Sequence, residues 1–148
     1  MKEITQMDAA GLDFLILNEG IRLKPYLDSV GIPTIGVGNT YYANGKRVTM
    51  KDKAITKPEA MELFKLILKH YEMAVYSCTR DDINQNQFNA LVSFTYNVGV
   101  SAYKDSTVRK RINNKAPGRD IESAFMMWRR PAAIIKRRQR EADLFLKP

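Results

Sequence analysis

The chain passes from helical to strand-like periodicity within Asn18-Glu-Gly-Ile-Arg-Leu-Lys-Pro-Tyr-Leu-Asp-Ser-Val-Gly-Ile-Pro-Thr-Ile-Gly-Val-Gly38. Before this stretch, apolar residues repeat at helical spacing, and Thr5 is a candidate N-cap. Gly20 supplies a helix stop inside the stretch. A first helix is therefore predicted over residues 5–19, with Glu19 at its C-terminal end.

The later part of the stretch and the residues that follow it favour strands. From Tyr26 the composition is β-branched and rich in glycine. Ser29-Val30-Gly31 is a candidate turn, and Asn44-Gly45 is a strong hairpin signal. A small antiparallel sheet is predicted over residues 24–50, within a sheet lobe of about residues 20–56.

Helical patterns dominate the rest of the chain. Thr56-Lys57-Pro58-Glu59 combines a capping box with a proline in the first turn, which predicts a connecting helix over about residues 57–78. A helical lobe follows over about residues 81–148, with Gly99 as one helix stop, and it includes the N-terminal helix 5–19. The predicted fold class is α+β and mainly helical, in a single domain of two lobes that spans residues 1–148.

The final helix is predicted over about residues 132–146, after a break at Pro131. Its apolar residues fall on one side, and its basic residues lie around the other. Arg137 and Arg138 are therefore predicted to lie on a solvated helix face, and a contact from one of them back to Glu19 is the alternative.

Composition excludes several kinds of chemistry. The chain has 148 residues, of which 45% are apolar, so it can bury a core without disulfides, and its lone Cys78 cannot form one within the chain. One His and one Cys cannot build a Cys/His zinc site, so no metal is expected. His70 lies in a helical run with no nucleophile motif beside it. Carboxylates are the remaining candidates for acid and base catalysis.

Positive charge is unevenly spread along the chain. Residues 1–80 hold 11 Lys+Arg against 9 Asp+Glu, and residues 81–148 hold 13 against 7. The second half is therefore predicted to carry most of the positive field. Such a field attracts polyanions of any kind, including nucleic acid, anionic lipid and acidic wall polymer, so charge alone does not identify a partner.

The sequence shows neither a membrane span nor an export signal. Its apolar stretches fall far short of the roughly 20 residues that cross a bilayer. The first residues carry the acidic side chains of Glu3, Asp8 and Asp13 where a secretory signal has a basic start. We expect a protein without an integral membrane segment that is made in a cytoplasm.

Glu19, Asp28 and Thr34 form the most informative group, at the change from helix to sheet. A carboxyl group at the end of an apolar helix can be partly desolvated and so hold a proton near neutral pH. Two carboxyl groups about 6.5–9.5 Å apart can flank a glycosidic bond and a water, one as acid and one as base. Thr34 can position that water. Helix-terminal Glu, turn Asp and strand Thr are also common solvated residues, and spacing alone favours that simpler interpretation.

The order of these residues closely resembles the catalytic signature of phage-type lysozymes, the endolysin family known as glycoside hydrolase family 24. Two further segments resemble the same family, in the same order, and extend the resemblance over nearly the whole chain. These segments are Gln85-Asn-Gln-Phe-Asn-Ala-Leu-Val-Ser-Phe-Thr-Tyr-Asn-Val-Gly99 and Arg137-Arg138-Gln-Arg-Glu141-Ala-Asp-Leu-Phe145.

The resemblance implies a two-lobed lysozyme-like fold around a cleft and hydrolysis of the β-1,4 bond between N-acetylmuramic acid and N-acetylglucosamine in peptidoglycan. It implies Glu19 as general acid, Asp28 as the group that supports the attacking water and the developing positive sugar, and Thr34 as the residue that orients the water. No cofactor is implied. A monomer that does not bind nucleic acid is expected.

The resemblance also places sugar contacts in the helical lobe, at Tyr96, Asn97 and Ser106. Tyr96 fits equally well as a core residue, and Ser106 fits equally well as a helix cap. Phe88, Leu91 and Phe94 are interpreted as plain core.

The chain departs from the family pattern at two places. Asn39 stands where the family commonly has a histidine, so any pairing that needs a cationic imidazole is lost there. Residues 129–135 read Arg-Arg-Pro-Ala-Ala-Ile-Ile, where many relatives have a glycine-containing stretch. The loop and the start of the final helix are therefore expected to differ.

Three functional hypotheses remain open. The first is a phage or prophage endolysin that leaves the host cytoplasm through a holin, cuts the wall in the periplasm and causes host cell lysis. The second is a lytic transglycosylase, which uses Glu19 but forms an anhydro-sugar end without water. The third is a non-catalytic basic module that binds wall polymer or nucleic acid, with salt-sensitive binding that does not need Glu19.

Overall fold

The computed structural model describes residues 3–148 of the chain. It contains one antiparallel sheet of two strands and is otherwise mainly helical, so the predicted fold class is confirmed. The strands are β1 (Arg22–Leu27) and β2 (Pro33–Gly36), and the helices are α1 (Ala9–Glu19), α2 (Lys57–Cys78), α3 (Gln85–Val98), α4 (Val100–Asp105), α5 (Thr107–Asn113), α6 (Gly118–Met126) and α7 (Ile135–Leu146). A short 3-10 turn, Ala132–Ile134, precedes α7.

Helix α1 begins at Ala9 and not at residue 5, because Asp8 is its cap in place of the predicted Thr5. Asp8 Oδ1 accepts the backbone N–H of Gly11 at 2.9 Å and the side-chain amide of Asn89 at 2.8 Å. The tertiary bond to Asn89 adds to the capping bond, which is typically worth about 1 kcal/mol. A Cβ at Gly11 would lie 2.5 Å from the Asn89 side chain, so this close approach requires glycine.

The sheet is shorter than the predicted span of residues 24–50. Tyr26 of β1 pairs with Thr34 of β2, and the ladder ends at Gly36. The backbone then turns through positive φ angles of 69° at Gly36 and 101° at Gly38, a region that favours glycine. Beyond these turns the predicted strand residues form only isolated bridges, Ile35 with Asn39 and Tyr41 with Arg47.

The described residues divide into two compact units. The sheet unit is Phe14–His70, and the helical unit combines the described part of Met1–Asp13 with Tyr71–Pro148. The helical unit is therefore built from both ends of the chain.

The sheet unit has its own small core. Ile35, Val48 and Leu63 are buried together, and Tyr42 and Ile55 pack against them. Leu63 belongs to α2, so this helix covers the residues that follow the two-stranded sheet. This packing stabilises the loops after β2 without further strands.

The helical unit is organised around Phe94 of α3. Its ring makes edge-on contacts with Phe125 of α6, at 5.3 Å between centroids, and with Trp128, at 5.6 Å. Phe88, Leu91 and Phe94 are all buried, so their interpretation as core residues is confirmed. Such aromatic pairs add about 0.5–1.5 kcal/mol to the free energy gained from burial.

Candidate active site

Glu19 is the last residue of α1 and is exposed in the structure. Gly20 follows it with a φ of 81°, and its N–H donates to the carbonyl of Ile16 at 2.7 Å, which ends the helix. The residue therefore borders solvent at the point where the chain passes from helix to strand.

Asp28 directly follows β1, and its carboxylate is fixed by the turn after it. Oδ1 accepts the N–H groups of Val30 and Ile32, both at 2.9 Å. The Asp28 backbone also bonds to this turn, through its N–H to Ile32 and its carbonyl from Gly31, each at 3.0 Å. Within residues 3–148, Oδ2 of Asp28 has no hydrogen-bond partner. One carboxylate oxygen therefore holds the geometry and the other remains available.

Thr34 lies on β2, opposite Tyr26, and is only 3% exposed. Its hydroxyl donates to the carbonyl of Ile32 at 2.9 Å. A hydroxyl that donates to a carbonyl keeps its lone pairs to accept a hydrogen bond from another group. Ile32 thus bonds to both predicted residues, through its N–H to Asp28 and through its carbonyl from Thr34.

Glu19, Asp28 and Thr34 all belong to the sheet unit. The first stands at a helix end, the second in a tight turn and the third in a strand, so their positions are set by three different local structures. Together they offer an exposed carboxyl group, a fixed carboxylate and an oriented hydroxyl. These are groups that can give a proton, accept a proton and hold a water.

Tyr96 and Asn97 lie near the C-terminal end of α3, in the helical unit. Tyr96 is half-buried, and its ring meets the edge of Tyr71 at 5.0 Å between centroids. Asn97 is exposed, and its side-chain oxygen accepts a hydrogen bond from the guanidinium of Arg138. This bond fixes the orientation of the amide, because only the oxygen can accept from a guanidinium.

Ser106 has a capping role in the structure. It is the N-cap of α5, where its hydroxyl accepts the N–H of Arg109 at 3.0 Å and donates to the carbonyl of Tyr103 at 2.7 Å. The residue is 4% exposed. Of the two roles considered for Ser106, the structure shows the helix cap.

The prediction of a solvated face for Arg137 and Arg138 is wrong. Arg137 is 6% exposed and Arg138 is fully buried, as is Glu141 one turn later in α7. Arg137 Nε lies 3.2 Å from one Glu141 oxygen, and Arg138 bonds to the other. Ser93 of α3 completes the cluster, since its hydroxyl donates to Glu141 at 2.5 Å and its carbonyl accepts from Arg137 at 3.0 Å.

A sequence signal for this cluster exists. Glu141 follows Arg138 by three residues and Arg137 by four, the spacing at which helical side chains meet. Glu141 also precedes Ala142, which is buried on the apolar side of α7. The spacing predicts that these side chains meet, but it does not decide whether they are buried.

The two departures from the family pattern have structural roles. Asn39 is buried, and its amide donates to the carbonyl of Leu63 at 3.1 Å, which ties the residues after β2 to α2. The 129–135 segment contains a cis peptide bond between Arg130 and Pro131, followed by the 3-10 turn. Helix α7 accordingly begins at Ile135, later than the predicted residue 132.

Across residues 3–148, no helix combines the length and the apolar character that a transmembrane helix needs.

Comparison with known proteins gives consistent matches over most of the chain. Residues 17–141 match the family model for phage lysozyme. The endolysin of Salmonella phage P22 is 41% identical over 145 residues, an alignment that covers 95% of this chain and 98% of that protein.

Two solved structures are also similar. A crystal structure of a P22 lysozyme mutant has a TM-score of 0.89 at 39% identity and covers 97% of this chain and 100% of its own. The muramidase domain of SpmX from Asticaccaulis excentricus has a TM-score of 0.81 at 30% identity and covers 98% of this chain and 100% of its own.

Proposed function

The chain belongs to the phage lysozyme family and is a hydrolase of the lysozyme type, and we propose that it is an endolysin that cuts peptidoglycan. The bond we propose is the β-1,4 linkage between N-acetylmuramic acid and N-acetylglucosamine. A similar solved structure is a muramidase domain, which supports this choice of bond.

The proposed mechanism rests on one observation. Ile32, at the turn that follows β1, is hydrogen-bonded to both Asp28 and Thr34. The free Oδ2 of Asp28 accepts a proton from water and stabilises positive charge on the sugar. The Thr34 hydroxyl, which already donates to Ile32, accepts the second hydrogen bond of the same water. The water is thereby oriented towards the sugar before the glycosidic bond breaks.

Glu19 is proposed as the general acid. It is an exposed residue at the end of α1, in the same compact unit as Asp28 and Thr34. Protonation of the oxygen of the leaving sugar at the moment of cleavage contributes typically 10² to 10⁴ in rate. Acid, water and carboxylate are the components of a single-displacement glycoside hydrolysis.

Tyr96 and Asn97 are proposed as sugar contacts. Because Arg138 occupies the Asn97 side-chain oxygen, the NH₂ group of the amide is left to donate. Within residues 3–148 that NH₂ has no partner, so it suits a sugar hydroxyl or an N-acetyl carbonyl. Ser106 is left out of this set because it caps α5.

The proposed setting is the wall of a bacterial host. We propose that the protein is made in the host cytoplasm, passes to the periplasm through a holin and acts there as a monomer, which leads to host cell lysis. The names of similar phage proteins support this role.

A lytic transglycosylase is the main alternative on the same substrate. Such an enzyme needs an acid but no positioned water, whereas Asp28 and Thr34 form an arrangement suited to water. The mass of the product distinguishes the two reactions, because hydrolysis adds a water and transglycosylation leaves an anhydro end.

The test is digestion of purified peptidoglycan, with mass spectrometry of the released muropeptides. Wild type is compared with Glu19→Gln and with Asp13→Asn, an exposed carboxylate on the same helix. We expect hydrated reducing ends from wild type and from Asp13→Asn, and a loss of about 10² to 10⁴ in rate for Glu19→Gln. Anhydro products would overturn hydrolysis, and no products from any variant would favour the basic binding module.

A further inference from the structure

A cluster of cations lies outside the candidate site, on the loop over residues 46–53, named here the basic loop. Its four cationic side chains are all exposed and follow one another closely in the chain. They are Lys46, Arg47, Lys51 and Lys53.

None of these four cations forms an ion pair with any part of the chain from residue 3 to residue 148. The loop contains one carboxylate, Asp52, and both of its oxygens are already bonded. Oδ2 accepts the Tyr42 hydroxyl at 2.7 Å and the Thr49 N–H at 2.9 Å, and Oδ1 accepts the Thr49 hydroxyl at 2.7 Å. Asp52 therefore serves the loop structure, and the loop keeps an excess of positive charge.

The backbone that carries these cations is held in place. Val48, in the middle of the loop, is 4% exposed, and its N–H donates to Thr40 at 2.9 Å. Lys46 accepts the Tyr42 N–H at 2.9 Å through its carbonyl, which closes the hairpin around Asn44-Gly45. Arg47 lies over the ring of Tyr41, with 5.5 Å from Cζ to the ring centroid. The cations are thus presented from an ordered backbone.

Part of the positive charge that the sequence assigns to residues 81–148 is buried or paired. It includes Arg137 and Arg138, which are buried beside Glu141, and Lys115, which lies 3.6 Å from Asp82. The basic loop, in the half with the smaller net charge, holds four exposed cations that form no ion pair within residues 3–148. Like charges on one short loop repel one another, and a polyanion relieves that repulsion.

We infer that the basic loop is a second, non-catalytic docking surface for the carboxylate-bearing peptide branches of the wall polymer. The inference rests on the proposed function, because it takes peptidoglycan as the substrate. Exposed ammonium groups on flexible stems bind carboxylates without demanding one geometry, which suits peptide branches that are themselves flexible. The loop raises the local concentration of enzyme at the wall and takes no part in bond cleavage.

The test compares two variants of equal charge change. The loop variant replaces Lys46, Arg47, Lys51 and Lys53 with Gln. The control variant replaces four exposed cations of the helical unit with Gln, and these are Lys104, Lys110, Arg119 and Lys147. Both are made with Glu19→Gln, so that the polymer is not digested during binding, and thermal unfolding checks that both fold.

Binding to purified, insoluble peptidoglycan is measured by sedimentation at several salt concentrations. We expect the loop variant to bind at least about tenfold more weakly than its parent at low salt, with a shallower salt dependence, because fewer counterions are exchanged. The affinity of the control variant should fall by no more than about threefold, since it removes the same charge from elsewhere on the protein. An equal loss in both variants would overturn the proposal in favour of general charge attraction.

A second comparison identifies the anion. The same peptidoglycan is tested after its carboxylates are converted to amides, with lipoteichoic acid as a phosphate-bearing probe. We expect amidation to weaken the binding of the parent protein to peptidoglycan and to leave the binding of the loop variant unchanged. Binding that survives amidation but follows the phosphate polymer would overturn the carboxylate assignment. The two proposals can fail separately. If the wild-type protein binds through the loop but releases no muropeptides, the docking surface is supported and only the hydrolytic function is overturned.

Discussion

Asp28 and Thr34 are joined through one residue, since Ile32 donates its N–H to the Asp28 carboxylate and accepts the Thr34 hydroxyl on its carbonyl. Both bonds are 2.9 Å long. The backbone of Ile32 therefore positions both the Asp28 carboxylate in the turn and the Thr34 hydroxyl in the strand.

This link makes the Thr34 hydroxyl testable with two substitutions. Thr34→Val keeps the shape and removes the hydroxyl, so we expect kcat to fall by ~10²-fold with KM nearly unchanged. Thr34→Ser keeps a hydroxyl and should retain most of the turnover. Steady-state digestion of soluble glycan strands measures both, and a change confined to KM would contradict a role in positioning water.

The buried cluster of α7 predicts a large loss of stability for Glu141→Gln. The amide keeps the size of the side chain but leaves the buried charges of Arg137 and Arg138 without their shared carboxylate. Breaking a buried pair in this way costs about 3–5 kcal/mol, which is a Tm lower by about 10 °C in a chain of this size. Thermal unfolding checks this.

Asp143→Asn is the matched control for that measurement. Asp143 is an exposed carboxylate on the same helix, where such changes stay within about 0.5 kcal/mol. Equal Tm values for the two variants would show that Glu141 is not what compensates the buried arginines.

Ser106→Ala distinguishes a helix cap from a sugar contact. Loss of the cap of α5 should lower the free energy of unfolding by about 1 kcal/mol. The same variant should leave KM for glycan unchanged, because the side chain is buried. Urea unfolding and kinetics on one preparation give both values, and a raised KM with unaltered stability would restore Ser106 to the substrate site.

The raised pKa of Tyr42 predicts a loss of stability at alkaline pH. Burial, with the bonded Asp52 carboxylate as the next cause, raises the pKa of Tyr42 from 10.0 to about 12. A raised pKa contributes stability that is complete below the unfolded value and is lost as pH rises towards the folded one, here between about pH 10 and about pH 12.

Tyr42→Phe should remove this part of the alkaline loss. Burial also raises the pKa of Tyr103, but that contribution is common to both proteins and cancels in the difference. Urea unfolding at a series of alkaline pH values measures the difference, and parallel stability curves for wild type and Tyr42→Phe would contradict the assignment.

The fold class and the elements around Glu19, Asp28 and Thr34 follow from local signals that the sequence contains. A glycine stop, a short turn and a β-branched strand are each decided within a few residues. The start of α1 is different, because Thr5 and Asp8 are both acceptable caps and the choice depends on Asn89, far away in the chain.

The burial of Arg137 and Arg138 was equally hard to predict from local pattern. An arginine on a helix is usually solvated, and its burial here also depends on Ser93 of α3, which the packing of α3 against α7 brings to Arg137 and Glu141. The exposure of Glu19 likewise depends on what packs beside a helix end, which periodicity does not specify.

The helical unit takes residues from both ends of the chain, and this bears on how the protein is made. During synthesis all residues of the sheet unit, Phe14–His70, have left the ribosome before α7, which the helical unit needs. A chain cut short by a premature stop before α7 lacks Arg137, Arg138 and Glu141 and cannot complete the core around Phe94. Such a chain contains all residues of the sheet unit but lacks part of the helical unit.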